Sequence, residues 1–557
     1  MKITKHFVTV GSRRVHYLRA GLGPAVVLLH SSPCSAKVLC PIMEVFGERF
    51  TALAFDTPGF GMSDKLATAN PSVEDFADAQ AETLAVLGID HVATYGRHTG
   101  ASIAVEFAAR HPQRCSMALA DGFAVFARAY TDAELDAYLE PIVPTWDGAH
   151  LLHLWFRYRD QHAFWPWNKQ TAAGRSDADI PDLDFLQRGV IELLEAGDDY
   201  RIGYAAPFRH RALGVIADLK VPVCFGTRPG DSMHKTRSLV PSTAWSEVLP
   251  REFDAATLAE RALLERYPAR GTPPPAPRCA ALPGRITTDF IEIDGAQVLV
   301  RSVGDIGGAT APLLVLHHAP GSSMLYDSLL AEIGKSGPAL AFDLPGHGES
   351  DALPGNPQAI AAWVATATKV IAQLAIGELF AYGHNGGAAV AVELAGRLGP
   401  RVKGVTLDAP FFIEDADRAR FAPDYAPAVE PTWEGAHWLR AWHHVRDSEL
   451  WWPWFTRTHR NVRPGPSKID PAHLTLRVRE MMKQPSSYQP AWRANVGYAW
   501  REALTAVNCP LLLMAASEDT FAHLLTAVRS AKPGAACIAV DDTAQSRAQA
   551  IQTTFYS

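Results

Sequence analysis

Apolar residues along this chain gather in short runs, separated by longer stretches with helical spacing. The runs at 25–30, 51–56 and 311–317 are almost wholly apolar, as are those at 221–226 and 510–515. Apolar runs of this length predict strands covered on both faces, with the intervening helices as covers. The strands are separated by helices rather than hairpin turns, so the pattern predicts a mostly parallel α/β sheet in each half. An Ala-rich stretch at 101–111 predicts a helix directly after a strand. Two longer stretches, about 124–212 and 411–500, break the alternation and are rich in Trp and His. They are predicted to be helical insertions.

The pattern is written twice. A shift of 287 carries His98 to Asn385, His30 to His317, Asp56 to Asp343 and Gly61 to Gly348. The same shift carries Asp121 to Asp408, Trp146 to Trp433 and His150 to His437. Pro-Thr-Trp-(Asp/Glu)-Gly-Ala-His occupies both 144–150 and 431–437, and Trp-Pro-Trp recurs at 165–167 and 452–454. A fixed shift of this kind marks a duplication. Between the copies lies Pro273-Pro274-Pro275-Ala276-Pro277, a run that favours extended polyproline geometry. The expected organisation is a first domain at 1–267, a linker at 268–285 and a second domain at 286–557, with insertions at 124–212 and 411–500. Pairing of the two halves about a pseudo-two-fold is an expectation of the repeat.

Three motifs follow in the same order in each copy. His30-Ser31-Ser32-Pro33 is matched by His317-His318-Ala319-Pro320. Asp56-x-Pro-Gly-x-Gly-x-Ser63 is matched by Asp343-x-Pro-Gly-x-Gly-x-Ser350. Gly96-Arg97-His98-Thr99-Gly100 is matched by Gly383-His384-Asn385-Gly386-Gly387, each between a strand and a helix. On these motifs each half resembles an α/β-hydrolase-fold protein with a helical cap, and the resemblance covers nearly the whole chain. It implies two tandem α/β-hydrolase-fold domains. The fold alone does not imply a particular chemistry.

The resemblance places a nucleophile at the middle of the Gly-x-x-x-Gly turn, normally Ser, Cys or Asp. His98 and Asn385 stand there instead. The family's acid, after a late strand, maps to Asp231 and Asp519, with Asp121 and Asp408 as alternatives. Its base, a His after the last strand, has no counterpart: none follows His234 before His317, and none follows His523. The usual relay is therefore not expected in either half. An oxyanion hole would come from the backbone amides of Thr99 and of Ser31 or Ser32.

These residues suggest His98 as a general base, with Asp121 or Asp231 as its acid. A helix N-terminus disfavours positive charge, so the imidazole is expected to be neutral there. The rival account is that His and Asn are chosen only because they tolerate a left-handed backbone. Candidate substrate-binding residues in the first half are His30, Trp146, His150 and Trp165. A second-half pocket would be lined by His317, His318, His384, Asn385, Asp408, Trp433, His437 and His443. The Trp residues fit equally well as cap core.

Composition narrows the rest. The 557 residues carry a net charge of -7 with no basic stripe, which argues against a nucleic-acid partner. No apolar window is long enough for a membrane span. Seven cysteines without a Cys-x-x-Cys pair fit free thiols in a reducing compartment, and a cytoplasmic protein is expected. The His spacings match no metal motif and no phosphate-binding Gly-rich turn is seen, so neither metal nor cofactor is expected. The expected function is a cofactor-independent enzyme acting on a small apolar or aromatic carbonyl compound, with its chemistry in the first half. Ester, lactone or C–C hydrolysis, or a related lyase reaction, would suit it. The alternative is a catalytically dead ligand-binding or scaffolding protein.

Overall fold

The computed structural model describes residues 2–126 and 128–556. The chain divides into two compact units, one of Met1–Val143 with His153–Ala280 and one of Pro144–Leu152 with Ala281–Ser557. The division at 280 falls inside the expected linker, which has no helix or strand. That segment is held in place within the first unit, where Arg19 Nη1 donates to the Pro274 carbonyl at 2.6 Å.

The first unit holds an eight-stranded sheet: β1 (Thr4–Val10), β2 (Arg13–Ala20), β3 (Ala25–Leu29), β4 (Thr51–Phe55), β5 (Val92–Arg97), β6 (Cys115–Asp121), β7 (Val223–Thr227) and β8 (Ser246–Val248), in spatial order 1-2-4-3-5-6-7-8. The second repeats it with β9 (Thr287–Ile293), β10 (Ala296–Val303), β11 (Leu313–Leu316), β12 (Ala339–Phe342), β13 (Leu379–His384), β14 (Val402–Asp408), β15 (Leu511–Ala516) and β16 (Ala536–Val540), in order 9-10-12-11-13-14-15-16. From the third strand onward every pairing among these central strands is parallel. Apolar side chains on both faces of the central strands explain why they read as unbroken runs.

The expectation of no hairpins fails at the edge. β1–β2 and β9–β10 are antiparallel hairpins, and β2 and β10 join the sheet antiparallel to β4 and β12. The signal was present at Asp294-Gly295, where both residues take positive φ (52° and 82°), as a two-residue hairpin turn requires. The flanking strands mix partly and fully buried residues instead of forming apolar runs, so a search for runs passes over them.

The sheet cores are close-packed. Leu28 on β3 is fully buried beside Ile42, Phe46 and Tyr95. Leu28→Ala should lower stability by about 2–5 kcal/mol, read from the urea transition of the full chain.

Candidate active sites

Both strand-to-helix bends are forced by close backbone contacts. A methyl group on Gly96 would lie 2.0 Å from the Gly100 carbonyl oxygen, and one on Gly100 would lie 2.1 Å from that of Leu29. The corresponding distances at Gly383 and Gly387 are 2.4 Å and 2.2 Å. The helix start therefore abuts both its own strand and the end of the central strand. The residue at the middle of each bend is left-handed, His98 at φ 51° and Asn385 at φ 50°. Such conformations cost a non-glycine residue of order 1–3 kcal/mol and cluster at functional sites.

In the first unit the bend presents His98, whose side chain is one-third exposed. Its Nε2 lies 2.8 Å from Asp231 Oδ2, in the loop after β7. Asp231 is itself fixed by the Met233 N–H at 2.7 Å. Burial raises the Asp231 carboxyl, but His98 and Arg97 outweigh burial and hold it well below the usual carboxylate range. Nε2–H thus donates to a carboxylate, and Nδ1 carries the free lone pair. The helix N-terminus expected to act on this ring is opposed by a carboxylate in contact with it.

Asp121 is not the partner of His98. It ends β6, fully buried, with Arg228 at 3.1 Å and Arg97 at 3.5 Å. Its role is to hold two guanidinium groups below the bend. Asp408, its counterpart in the second unit, holds one guanidinium and one phenol, accepting from Arg547 Nε at 2.7 Å and Tyr382 Oη at 2.6 Å.

The second unit arranges the acid differently. Asp519, after β15, is 2.7 Å from Nε2 of His384, the residue before the bend, and 3.3 Å from Nδ2 of Asn385. Tyr326 Oη stands 2.9 Å from His384 Nδ1. With Nε2–H on the carboxylate, Tyr326 donates to Nδ1, giving a Tyr–His–Asp chain. Burial pushes the Tyr326 phenol well above its ordinary value, so it remains protonated.

The second-unit amides that correspond to those of Thr99 and Ser31 are already engaged. The Gly386 N–H donates to His318 Nδ1 at 3.1 Å, and the His318 N–H donates to Tyr326 Oη at 3.3 Å. In the first copy these positions hold Ser31, Leu39 and Thr99. Neither serine nor leucine there can fill the site in the same way. Ser31 and Thr99 flank the same space, because Gly100 touches the end of β3. Ser32 is buried ahead of Pro33.

Several expected binding residues are structural. His30 donates from Nδ1 to the Ser31 carbonyl at 3.0 Å and accepts the Thr57 N–H at Nε2, 2.9 Å. His317 does the same with the His318 carbonyl at 2.8 Å and the Leu344 N–H at 2.8 Å. Both rings are buried clamps between two loops, with no nitrogen left for a substrate. His150 and His437 accept the Thr145 and Thr432 N–H groups, fixing the turn before each cap helix. Trp146 and Trp433 are 70% and 50% exposed, so they line no enclosed pocket. His443 faces solvent, while its neighbour His444 is buried against Trp454 and Trp492. Trp165 packs in the cap on Tyr138 and Phe208.

A cavity of about 350 Å³ opens on the second bend. His318, His384 and Asn385 line it, as expected. Sequence reasoning missed Tyr326, Glu449 and Arg477, which line it too. They carry no motif, and the only signal was a difference between the copies: Tyr326 and Glu449 correspond to Leu39 and His162. Among the described residues, one His/carboxylate group is tight enough for a metal ion, Glu74–Glu106–His210. Its His210 and Glu106 already hydrogen-bond each other at 2.7 Å.

Comparison with known proteins gives the family of both halves. A model described as the alpha/beta hydrolase fold matches residues 24–188, and one described as the Alpha/beta hydrolase family matches 314–548. The chain is similar to an uncharacterised protein of Mycobacterium tuberculosis, 34% identical over 110 residues, which is 20% of this chain and 32% of that protein. It is also similar to a soluble epoxide hydrolase of Corynebacterium sp., 35% identical over 107 residues (19% of this chain, 37% of that one). These matches span about a third of the relatives' own length. A solved structure of E-2-(acetamidomethylene)succinate hydrolase is 19% identical with a TM-score of 0.35, covering 48% of this chain and 99% of that one. No described helix is long and apolar enough to cross a membrane.

Asp519 also sets an acid limit. Burial raises its carboxyl, but His384 and the Phe521 N–H bring it down to about 2 in the fold. A depressed carboxylate stabilises the fold above its unfolded value near 4, and that stability is lost as pH falls toward 2. Asp519→Asn should flatten this part of the stability–pH curve, removing on the order of 2 kcal/mol between pH 5 and 2. Urea titrations at stepped pH measure it.

Proposed function

This chain belongs to the α/β-hydrolase superfamily as two domains in tandem, and on that footing we propose that its first domain is a cofactor-independent hydrolase using His98 as general base. The observation that carries this reading is the 2.8 Å contact from His98 Nε2 to Asp231 at the bend where the family presents its reactive residue. A carboxylate on one ring nitrogen fixes the tautomer and leaves the other free to take a proton.

The substrate class is a small apolar or aromatic carbonyl compound, an ester or lactone in the simplest case. His98 Nδ1 removes a proton from water as the oxygen adds to the carbonyl carbon. The Ser31 and Thr99 amides receive the resulting oxyanion, each such donor being worth about 3–4 kcal/mol when well placed. The imidazolium then returns its proton to the leaving alkoxide, and acid and alcohol depart. No covalent intermediate forms, because imidazole on a carboxylate acts here as base and the middle position of the bend carries no hydroxyl. Asp231 stabilises the imidazolium at the step where it exists.

The second domain does not share this role. Its oxyanion amides are filled by His318 and Tyr326, and its bend holds an amide side chain that cannot take a proton. It serves instead as a ligand-binding domain.

The reading is tested with short aryl esters and lactones. His98→Gln keeps a donor for Asp231 but cannot act as base, and should reduce kcat by about 100-fold or more. Asp231→Asn should also reduce kcat, while Asn385→Ala should leave turnover within about twofold. Full activity in His98→Gln would end the proposal.

A further inference from the structure

In the first unit the end of the cap is joined to the helix that follows the bend. His210 ends the helix Tyr200–Arg209, and its Nε2 lies 2.7 Å from Oε1 of Glu106 on the helix Thr99–Arg110. The second copy makes the same junction with another group. There Tyr498 Oη donates to Glu393 Oε1 at 3.0 Å. A phenol and one carboxylate are therefore enough to hold the cap end in place.

The first copy adds a third group. Glu74, in the first turn of the helix Val73–Val86, brings a second carboxylate to the pair. Its counterpart in the second copy, in the first turn of Ile360–Gln373, is Ala361. One ligand-type atom from each of Glu74, Glu106 and His210 lies within 4.8 Å of the other two. The side chains of Glu106 and His210 are 7% and 1% exposed. Glu74 is partly exposed and opens the group to solvent.

Charge makes the addition informative. Two carboxylates at this spacing repel each other unless a cation lies between them. Arg110, one turn beyond Glu106, feels both charges. Its guanidinium is committed to Asp78, through Nε at 2.9 Å and Nη2 at 2.6 Å. Glu74 has no hydrogen bond or ion pair among the described residues. Packing of the cap accounts for the His210–Glu106 bond, as the second copy shows, but not for a carboxylate set beside it.

We propose that Glu74, Glu106 and His210 form a binding site for a divalent transition-metal ion, with zinc the best match. Two carboxylate oxygens and one imidazole nitrogen are ligands that zinc takes, with a fourth position for water. Calcium and magnesium take oxygen and would leave the imidazole unused. The ion would sit where His210 and Glu106 now share a proton, with Glu74 closing in from the surface turn. His210 Nδ1 is buried without a partner among the described residues, and a missing outer partner costs a metal site about 10–100-fold in affinity. The expected affinity is therefore micromolar, not nanomolar. No spacing motif announces the site, because its ligands stand on or at the end of three helices, at 74, 106 and 210. Bound there, the ion ties the cap end to the helix that starts beside His98. The site does not depend on the chemistry assigned to His98.

Isothermal titration of the full chain, first dialysed against a chelator, with zinc, manganese and calcium chlorides tests this. Zinc should bind, manganese more weakly, and calcium not at all. His210→Tyr and Glu74→Ala install the residues of the second copy, so both variants should fold. Each should lose this zinc or weaken it at least about tenfold. Zinc should also raise the midpoint of the urea transition in the unaltered chain and not in His210→Tyr. His98→Gln should bind zinc as the unaltered chain does. Absence of zinc binding, equal zinc affinity in His210→Tyr, or loss of zinc in His98→Gln would overturn the assignment. If His210→Tyr does not fold, unchanged zinc affinity in Glu74→Ala overturns it.

Discussion

The bend from strand to helix is the constraint on which both sites depend. Gly96 and Gly100, and their counterparts Gly383 and Gly387, bring backbone so close to backbone that no Cβ fits. The chain can turn that sharply only by placing the middle residue in the left-handed region, at φ 51° and 50°. This strain lifts one side chain clear of the sheet at the mouth of the site. Everything chemical in either domain is arranged around that side chain.

Given the bend, a single aspartate decides what each domain presents. Asp231 and Asp519 follow equivalent late strands, and each binds an imidazole. In one copy the imidazole belongs to the middle residue of the bend, and in the other to the residue before it. A move of one position turns the ring from the end of the helix toward Tyr326, and leaves an asparagine in its place. The carboxylates are retained because the fold positions them. The ring they hold is what changed after duplication.

The second copy then closed its oxyanion amides from within. His318 and Tyr326 occupy those donors, and the first copy has Ser31 and Leu39 at the two positions. Filling those donors removes the means of stabilising a tetrahedral oxyanion, and the same side chains become part of a polar cavity wall. Arg477 belongs to this change. It stands where the first copy has a glycine under a tyrosine ring, lines the cavity and pairs with the buried Glu449.

The sequence by itself determined the duplicated α/β architecture, the two bends and their unusual middle residues, because close-packed glycines and buried strands leave strict local patterns. It named Asp231 as the acid with Asp121 as the alternative, and the fold sets Asp231 beside His98 and Asp121 beside Arg228 and Arg97. The antiparallel edge hairpins were legible only at Asp294-Gly295, since a half-exposed strand lacks an apolar run. Only the tertiary structure decided that His30, His317, His150 and His437 are clamps, because their partners are backbone amides that no spacing reveals. Likewise only the fold brought Glu449, Arg477 and His318 to one cavity. Their helices and loops are far apart in the chain, and the pairing of Arg477 with Glu449 exists only once those groups are packed together.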